Sequence, residues 1–287
     1  MIFESILDLL KNKDYKTLKS LLSEENPADI ADLLDELPKE EAVITYRLLP
    51  KELATDVFSH LEGDNREALI TAFSDTELEE VIRDLFIDDA VDLIEEMPAS
   101  VVKRILNHTD PQDRKIINEI LNYPKDSAGS IMTTEFVTLR LDMTVEQAFA
   151  RIRQTGVDKE TIYTCYVTAP TKELLGTVSV KELLLSDYDK KIGDIMEDNP
   201  ISVKTTDDRE EVAKQLTHYD FMAMPVTDTE DRLVGIVTFD DAMDVIEDET
   251  EEDFAIMAAV TPSEDDYLKT SIFAHAKNRI VWLLFLM

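Results

Sequence analysis

This sequence has almost no cysteine and lacks the motifs on which several common kinds of site depend. Cys165 is the single cysteine among 287 residues, which excludes an intramolecular disulfide framework and a metal site built from several thiolates. The four histidines are scattered without ligand spacing, and neither a glycine-rich phosphate loop nor an EF-hand loop is present. Cys165 lies in a β-type run and is expected in the core. No nucleophile–base pair stands out, so an enzyme is the function class favoured least.

Positive charge is scarce as well. The chain has 29 lysines and arginines against 62 aspartates and glutamates, a formal net charge of −33. Such a surface repels nucleic acid and anionic lipid headgroups and attracts cations, so we expect no nucleic-acid partner. Solubility alone would account for an evenly acidic chain. Here the acids form clusters, which makes a cation-binding role an alternative to solubility.

Long apolar runs are missing until the last residues. The N-terminus has no basic region, apolar run or cleavage site, so we expect no signal peptide. Residues 280–287 are entirely apolar, and Lys277 and Arg279 precede them, as is typical where a helix enters the bilayer from the cytoplasm. We interpret 280–287 as the start of a truncated transmembrane helix. A short amphipathic tail is the alternative.

The first 126 residues contain a repeat with a step of 12 residues. Apolar residues mark the step at Leu37, Leu49, Leu61, Phe73, Leu85 and Met97. Proline follows the first, second and last of these positions and would end a helix there. Each unit is a short amphipathic helix that cannot bury its apolar stripe alone, so stacking is required. We predict a superhelical array of short helices, with an irregular helical bundle as the alternative.

A different pattern, repeated twice, follows residue 126. An Ile-Met pair at 131–132 is echoed at 195–196, and after each pair the sequence predicts the order β-α-β-β-α. This arrangement resembles a tandem CBS-domain pair, on the strength of the Ile-Met pairs, the Met-Pro-Val at 224–226 and the run Leu-Val-Gly-Ile-Val-Thr-Phe-Asp-Asp at 233–241. The resemblance implies an α/β domain pair over residues 127–248.

The order of the segments resembles a larger family. Twelve-residue helical repeats, the Asp-Ser-Ala-Gly-Ser-Ile-Met-Thr junction at 126–133, a CBS pair, an acidic linker and an apolar end together resemble the cytosolic region of MgtE magnesium transporters. The expected fold class is therefore α plus α/β, with a long connecting helix after the CBS pair. The expected domains are 1–126 (helical N-terminal domain), 127–248 (CBS pair), 249–279 (acidic linker and plug helix) and 280–287 (start of a transmembrane helix).

The densest run of acids lies at residues 240–253. Glu249, Glu252 and Asp253 stand at i, i+3 and i+4 and share one face of a helix, with Asp241 and Asp244 one to two turns earlier. Like charges at this spacing disfavour a helix unless a cation joins them. Mg²⁺ takes oxygen ligands and keeps several waters, so a few carboxylates from separate elements suffice. Taken alone, the run is more typical of a solvated helix face than of a metal site.

The family resemblance implies a ligand set and a mechanism. In MgtE transporters magnesium binds between the helical domain, the CBS pair and the following helix, and high cytosolic magnesium closes the pore. The resemblance further implies several Mg²⁺ ions, a homodimer paired through the CBS units, a membrane domain absent from this chain, and a cell-membrane location with this region on the cytoplasmic side. The matching positions here are Asp88, Asp92, Asp208, Glu210, Thr217 (through its carbonyl), Asp220, Asp241, Asp244, Glu249, Glu252 and Asp253.

A second hypothesis concerns Thr238 and Asp241. In CBS pairs, a Thr or Ser followed three residues later by Asp can hold the ribose of an adenine nucleotide such as ATP. Residues of this type more often cap the following helix, as Thr238 could, and no basic cluster nearby suits a triphosphate. The alternative function is therefore an adenine-nucleotide sensor that regulates a membrane partner.

Overall fold

The computed structural model describes residues 2–61 and 63–257, and the chain divides into two compact units between Leu121 and Asn122. The first unit consists of short helices. The second unit contains two small β-sheets with helices. Both observations confirm the predicted fold class.

The helices of the first unit follow the 12-residue step. From the third helix onward they begin at residues 27, 39, 51, 63, 75, 87, 99 and 111. Each is ten residues long or shorter, as expected when the next repeat interrupts it. The helices are α1 (Ile2–Lys11), α2 (Tyr15–Leu22), α3 (Pro27–Glu36), α4 (Lys39–Tyr46), α5 (Lys51–Ser59), α6 (Gly63–Ala72), α7 (Asp75–Asp84), α8 (Ile87–Glu96), α9 (Ala99–His108) and α10 (Pro111–Ile120).

Capping and burial explain this regularity. Pro38, Pro50 and Pro98 stand directly before helices, as N-caps of α4, α5 and α9. The six apolar residues that mark the step are all buried. Helices two apart in the chain pack together, since α5 contacts both α3 and α7. Alternate helices thus bury each other's apolar stripes, which is the packing expected of a helical repeat.

The second unit contains the predicted β-α-β-β-α order twice. Its elements are β1 (Thr138–Leu139), α11 (Val145–Thr155), β2 (Thr164–Thr168), β3 (Leu174–Ser179), α12 (Val180–Leu185), β4 (Glu197–Asp198), β5 (Val203–Lys204), α13 (Arg209–His218), β6 (Ala223–Thr227), β7 (Leu233–Thr238) and α14 (Phe239–Met257). The sheets have the orders β1-β2-β3-β4 and β5-β6-β7. In each, a two-residue strand pairs parallel with the next strand, which pairs antiparallel with the third. Cys165 is buried in the core of the first repeat, as predicted.

The two repeats are linked by equivalent main-chain contacts. The amide of Ala128 donates to the carbonyl of Asp207 at 2.7 Å, and 64 residues later the amide of Ile192 donates to the carbonyl of Met143 at 2.9 Å. The segment after each Ile-Met pair then joins the sheet of the other repeat: β4 pairs with β3, and Thr133 pairs with Ile236 of β7. Each repeat therefore completes the sheet of the other.

Helix α14 runs without a break from Phe239 to Met257, through the predicted boundary at 248/249. The remainder of the predicted linker, the predicted plug helix to residue 279 and the apolar residues 280–287 lie outside the described residues. Within residues 2–61 and 63–257, no helix combines the length and apolar character that a membrane span requires.

Candidate metal-binding site

Most of the predicted ligands lie on the packed helices α13 and α14. Arg209, at the start of α13, contacts Glu249 in the middle of α14. At the other end, the amide of Phe239, the first residue of α14, donates to the carbonyl of Met222 just beyond α13 at 3.0 Å. The two helices therefore run antiparallel. Most of the predicted ligands consequently fall into two groups, one at each end of α13.

The first group begins where α13 ends. The amide of Phe221 donates to the carbonyl of Leu216 at 3.1 Å and that of Asp220 to the carbonyl of Thr217 at 3.4 Å, which is the Schellman pattern of helix termination. Asp220 occupies the left-handed position of this motif, with φ of 55°. Glycine is the usual residue there because it lacks a Cβ atom. The exposed carboxylate of Asp220 is thus held at a backbone position that is costly for aspartate.

The same end of the helix pair carries the first acids of α14. Asp241 is half-buried, and its carboxylate accepts a hydrogen bond from the Thr238 hydroxyl at 2.5 Å. Asp244, one turn later, is exposed. In the first repeat, Ser179 instead forms a capping box with Glu182 at the start of α12. Thr238 and Asp241, the pair predicted to hold a nucleotide ribose, therefore form a hydrogen bond with each other.

The second group lies where α13 begins. Asp208 caps α13 by accepting from the amides of Glu210 and Glu211 at 3.0 and 3.2 Å. Glu210 pairs with Lys214 at 2.6 Å, and this hydrogen bond raises the pKa of Lys214. Asp208 therefore already has a structural role as a cap, and its carboxylate keeps further lone pairs for a cation.

Glu249 completes this group from α14. Its carboxylate lies 3.2 Å from the Arg209 guanidinium, which also lies 3.5 Å from Asp126 and 3.9 Å from Asp248. Sequence reasoning did not select Arg209, Asp126 or Asp248. The sequence signal that could have identified Arg209 is its position as a single basic residue within an acidic stretch. The predicted ligand Glu249 is thus bound by a cation that belongs to the protein.

The remaining predicted ligands differ in position. Glu252 and Asp253 are exposed on α14, on the face they share with Glu249. Asp88 and Asp92 lie four residues apart on α8, in the other unit, where the carboxylate of Asp88 accepts from the amide of Asp89 at 3.1 Å. The ligand set as a whole remains a prediction.

Comparison with known proteins assigns both units to families. Residues 25–126 match the MgtE intracellular N domain, and residues 128–188 and 192–248 match the CBS domain. The chain is 35% identical over 286 residues to the magnesium transporter MgtE of Thermus thermophilus and 30% identical over 282 residues to that of Bacillus subtilis. These alignments cover 98% of this chain, and 63% and 62% of the two relatives. The chain thus spans less than two thirds of the length of these relatives.

Two solved structures resemble this fold closely. One is the crystal structure of the cytosolic domain of the Mg²⁺ channel MgtE in complex with ATP, with a TM-score of 0.79 and 36% identity over 85% of this chain and 99% of that chain. The other is the crystal structure of the soluble part of a magnesium transporter, with a TM-score of 0.77 and 32% identity over 86% of this chain and 97% of that chain. The chain therefore belongs to the MgtE family of magnesium transporters and is homologous to the cytosolic domain of that family.

Proposed function

We propose that this chain is the Mg²⁺-sensing regulatory region of a magnesium transporter and that it closes the pore when intracellular Mg²⁺ is high. The observation that carries the proposal is the gathering of predicted ligands at both ends of the α13–α14 pair. Carboxylate and carbonyl oxygens from separate elements are the donors that Mg²⁺ prefers, and the ion keeps water in its other positions. The ligand chemistry therefore fits several Mg²⁺ ions, and the proposal includes no catalytic step.

The strained position of Asp220 supports this assignment. A non-glycine residue in the left-handed region costs on the order of 1 kcal/mol, and such positions cluster at functional sites. Glycine would satisfy the helix end without that cost. A role as a cation ligand, together with the nearby Thr217 carbonyl, would explain why this position is an aspartate.

The proposed mechanism is a population shift controlled by charge. When Mg²⁺ is plentiful, bound ions neutralise the acids of the helical unit, the CBS pair and α14, and they favour a compact closed state. When Mg²⁺ falls, uncompensated carboxylates repel one another and the closed state loses stability. A ligand shifts such an equilibrium only through its different affinities for the two states. The link to a membrane domain on the cytoplasmic side of the cell membrane is part of this proposal.

The proposed homodimer uses an apolar face of the CBS pair. Tyr163 and Met222, at equivalent positions of the two repeats, line one open groove of about 540 Å³ with Leu184 and Leu185. These four side chains are 59–79% exposed. An exposed apolar patch of this kind marks an interaction surface. Because the two repeats contribute equivalent residues, a second copy of the chain fits the face through twofold symmetry.

A second candidate function is adenine-nucleotide binding at Thr238 and Asp241. The solved relative with ATP favours it. The Thr238–Asp241 hydrogen bond would have to open for Asp241 to bind a ribose, so nucleotide and Mg²⁺ would compete for this carboxylate. Calorimetric titration with ATP in EDTA tests this candidate. Loss of binding in Thr238→Val would support it, and absence of binding by the unaltered chain would exclude it.

The experiment for the main proposal measures uptake by the full-length transporter as internal Mg²⁺ is raised. The test variant carries Glu249→Gln, Glu252→Gln and Asp253→Asn. We expect its transport to be poorly shut off, because ligand bonds act at contact while surface repulsion is already screened over about 8 Å at physiological salt. The charge-matched control carries Asp187→Asn, Asp189→Asn and Asp194→Asn on the first repeat and should shut off normally. Normal shut-off in both variants would refute the gating role of the acidic face.

A further inference from the structure

Arg209 is the centre of a small charge cluster in the CBS pair. Its guanidinium contacts Glu249 at 3.2 Å, Asp126 at 3.5 Å and Asp248 at 3.9 Å. The side chain is only 21% exposed, and its buried Nε atom lies 3.5 Å from the Asp126 carboxylate without a hydrogen bond to any of the residues that the structure describes. One partly buried cation thus faces three carboxylates, so the cluster keeps an excess of negative charge.

The cluster joins segments that are distant in the chain. Asp126 precedes the first CBS repeat, Arg209 begins α13, and Asp248 and Glu249 belong to α14. Arg209 contacts Asp126 twice, because its backbone amide also donates to the Asp126 carbonyl at 3.0 Å. Asp126 has a φ of 62°, a left-handed conformation that needs support from its surroundings. Arg209 therefore holds the start of the CBS pair and the middle of α14 together.

We propose that Arg209 competes with the divalent cation for Glu249 and so sets the Mg²⁺ concentration at which this end of the site fills. The inference rests on the proposed function, since it takes Glu249 as a Mg²⁺ ligand. A guanidinium stays protonated at all physiological pH values, so the competitor is permanently present. A carboxylate oxygen bound to the guanidinium is not available to Mg²⁺ in the same geometry.

The other two carboxylates make the exchange feasible. When Mg²⁺ takes Glu249, Arg209 keeps Asp126 and Asp248 and is not left as an unpaired, partly buried charge, which would be costly. The positive charge of Arg209 also opposes the approach of Mg²⁺ through space. Both effects raise the Mg²⁺ concentration at which the ion binds to Glu249. Loss of Arg209 should consequently make the site more sensitive to Mg²⁺.

The test compares Arg209→Gln with the unaltered 287-residue chain. The radius of gyration is followed by small-angle X-ray scattering against MgCl₂ at constant ionic strength, because bound ions are proposed to favour a compact state. In Arg209→Gln we expect the response to reach its half-maximum at roughly three- to tenfold lower Mg²⁺, since one nearby positive charge and one competing bond are removed. The control Lys190→Gln removes the same charge from an exposed pair with Asp187, away from this cluster, and should respond like the unaltered chain.

The outcomes separate the two claims. An unshifted or higher half-maximum in Arg209→Gln, with a responsive unaltered chain, would overturn the role of Arg209 alone. An unaltered chain without any response to Mg²⁺ would overturn the proposed function and this inference together. If Arg209→Gln does not fold, the same measurement is made on Arg209→Lys, because lysine cannot reproduce the bidentate contact of a guanidinium group. A lower half-maximum than the unaltered chain then supports competition, and an equal or higher one overturns it.

Discussion

Gly235 and Met132 are in such close contact that position 235 admits no side chain without rearrangement. A Cβ atom at Gly235 would lie 2.5 Å from the Met132 sulfur and 2.9 Å from the Thr133 carbonyl oxygen. Gly176 stands in the same relation to Met196, whose sulfur would lie 2.8 Å from an added Cβ. The methionine of each Ile-Met pair thus packs on a glycine in a strand of the other repeat. This reciprocal contact explains why both sequence features occur together in the CBS pair.

The first prediction follows from this contact. We expect Gly235→Ala to destabilise the CBS pair by about 1–3 kcal/mol, because the carbonyl of Thr133 belongs to the paired backbone and has little room to move. Chemical denaturation measures the loss. Gly193→Ala is the matched control, since the nearest atoms to its added Cβ, a side-chain carbon and the carbonyl oxygen of Leu141, lie at 3.3 Å and need to move by only a few tenths of an ångström. Equal stability of both variants would contradict the account of the Ile-Met docking.

The second prediction concerns the start of α7. Ser74 and Glu77 form a capping box, and the Ser74 amide is the main cause that lowers the pKa of Glu77, with Arg47 contributing. Ser74→Ala should cost about 1 kcal/mol, since it leaves a helix amide without its acceptor. Ser59→Ala, whose hydroxyl bonds only within its own helix at 3.0 Å to Asp56, is the control.

The capping box also has a pH signature. Because the pKa of Glu77 is lower in the folded chain than in the unfolded chain, its contribution is present at neutral pH. That contribution is lost as pH falls from the ordinary range of a glutamate pKa through the lower pKa of the folded chain. Thermal unfolding midpoints measured from pH 7 to pH 3 should therefore show the difference between the unaltered chain and Glu77→Gln shrinking. A difference independent of pH would show that the carboxylate charge is not what stabilises the cap.

The third prediction separates strain from function at Asp220. Asp220→Gly should stabilise the fold by about 1 kcal/mol, because glycine suits a φ of 55°, and should at the same time weaken the response to Mg²⁺. Lys172→Gly is the control, since Lys172 also has a left-handed backbone, with φ of 69°, but is no predicted ligand. It should gain stability and keep its response. An Asp220→Gly chain that keeps its full response would remove Asp220 from the site.

The fourth prediction concerns the apolar face of the CBS pair. Leu184→Asp places a charge in the groove beside Tyr163 and Met222, so we expect it to dissociate the dimer. Sedimentation velocity reports the mass in solution. Val157→Asp alters another highly exposed apolar residue and should leave the mass unchanged. A monomeric unaltered chain, or an unchanged dimer in Leu184→Asp, would refute this interface.

The sequence predicted the helical unit well because the information there is local. The 12-residue step repeats both the caps and the buried positions, so the starts of α3 to α10 follow from spacing alone. The short strands were harder to predict. The first strand of each repeat is paired over only two residues, Thr138–Leu139 and Val203–Lys204, although the strand beside it has five.

The features missed by sequence reasoning are long-range. β4 consists of Glu197 and Asp198, which are exposed and have low strand propensity, and it is a strand only because it pairs with Gly176 and Thr177 of the first repeat. The contact between Arg209 and Glu249 joins residues 40 positions apart. Neither spacing nor composition indicates such a pair. The acids of α14 could be selected from sequence, and Arg209 stands out as a basic residue among acids, but its pairing with Glu249 could not be predicted.

The most direct test of the central claim is whether Mg²⁺ binds specifically to this chain. The measurement is the thermal unfolding midpoint of the 287-residue chain as MgCl₂ replaces NaCl at constant ionic strength, with resistance to limited proteolysis recorded in parallel. Since a ligand stabilises the state that binds it, we predict that the midpoint rises with the Mg²⁺ concentration beyond its value in NaCl alone. A midpoint that depends on ionic strength but not on the replacement of Na⁺ by Mg²⁺ would show simple screening of the −33 charge and contradict the account.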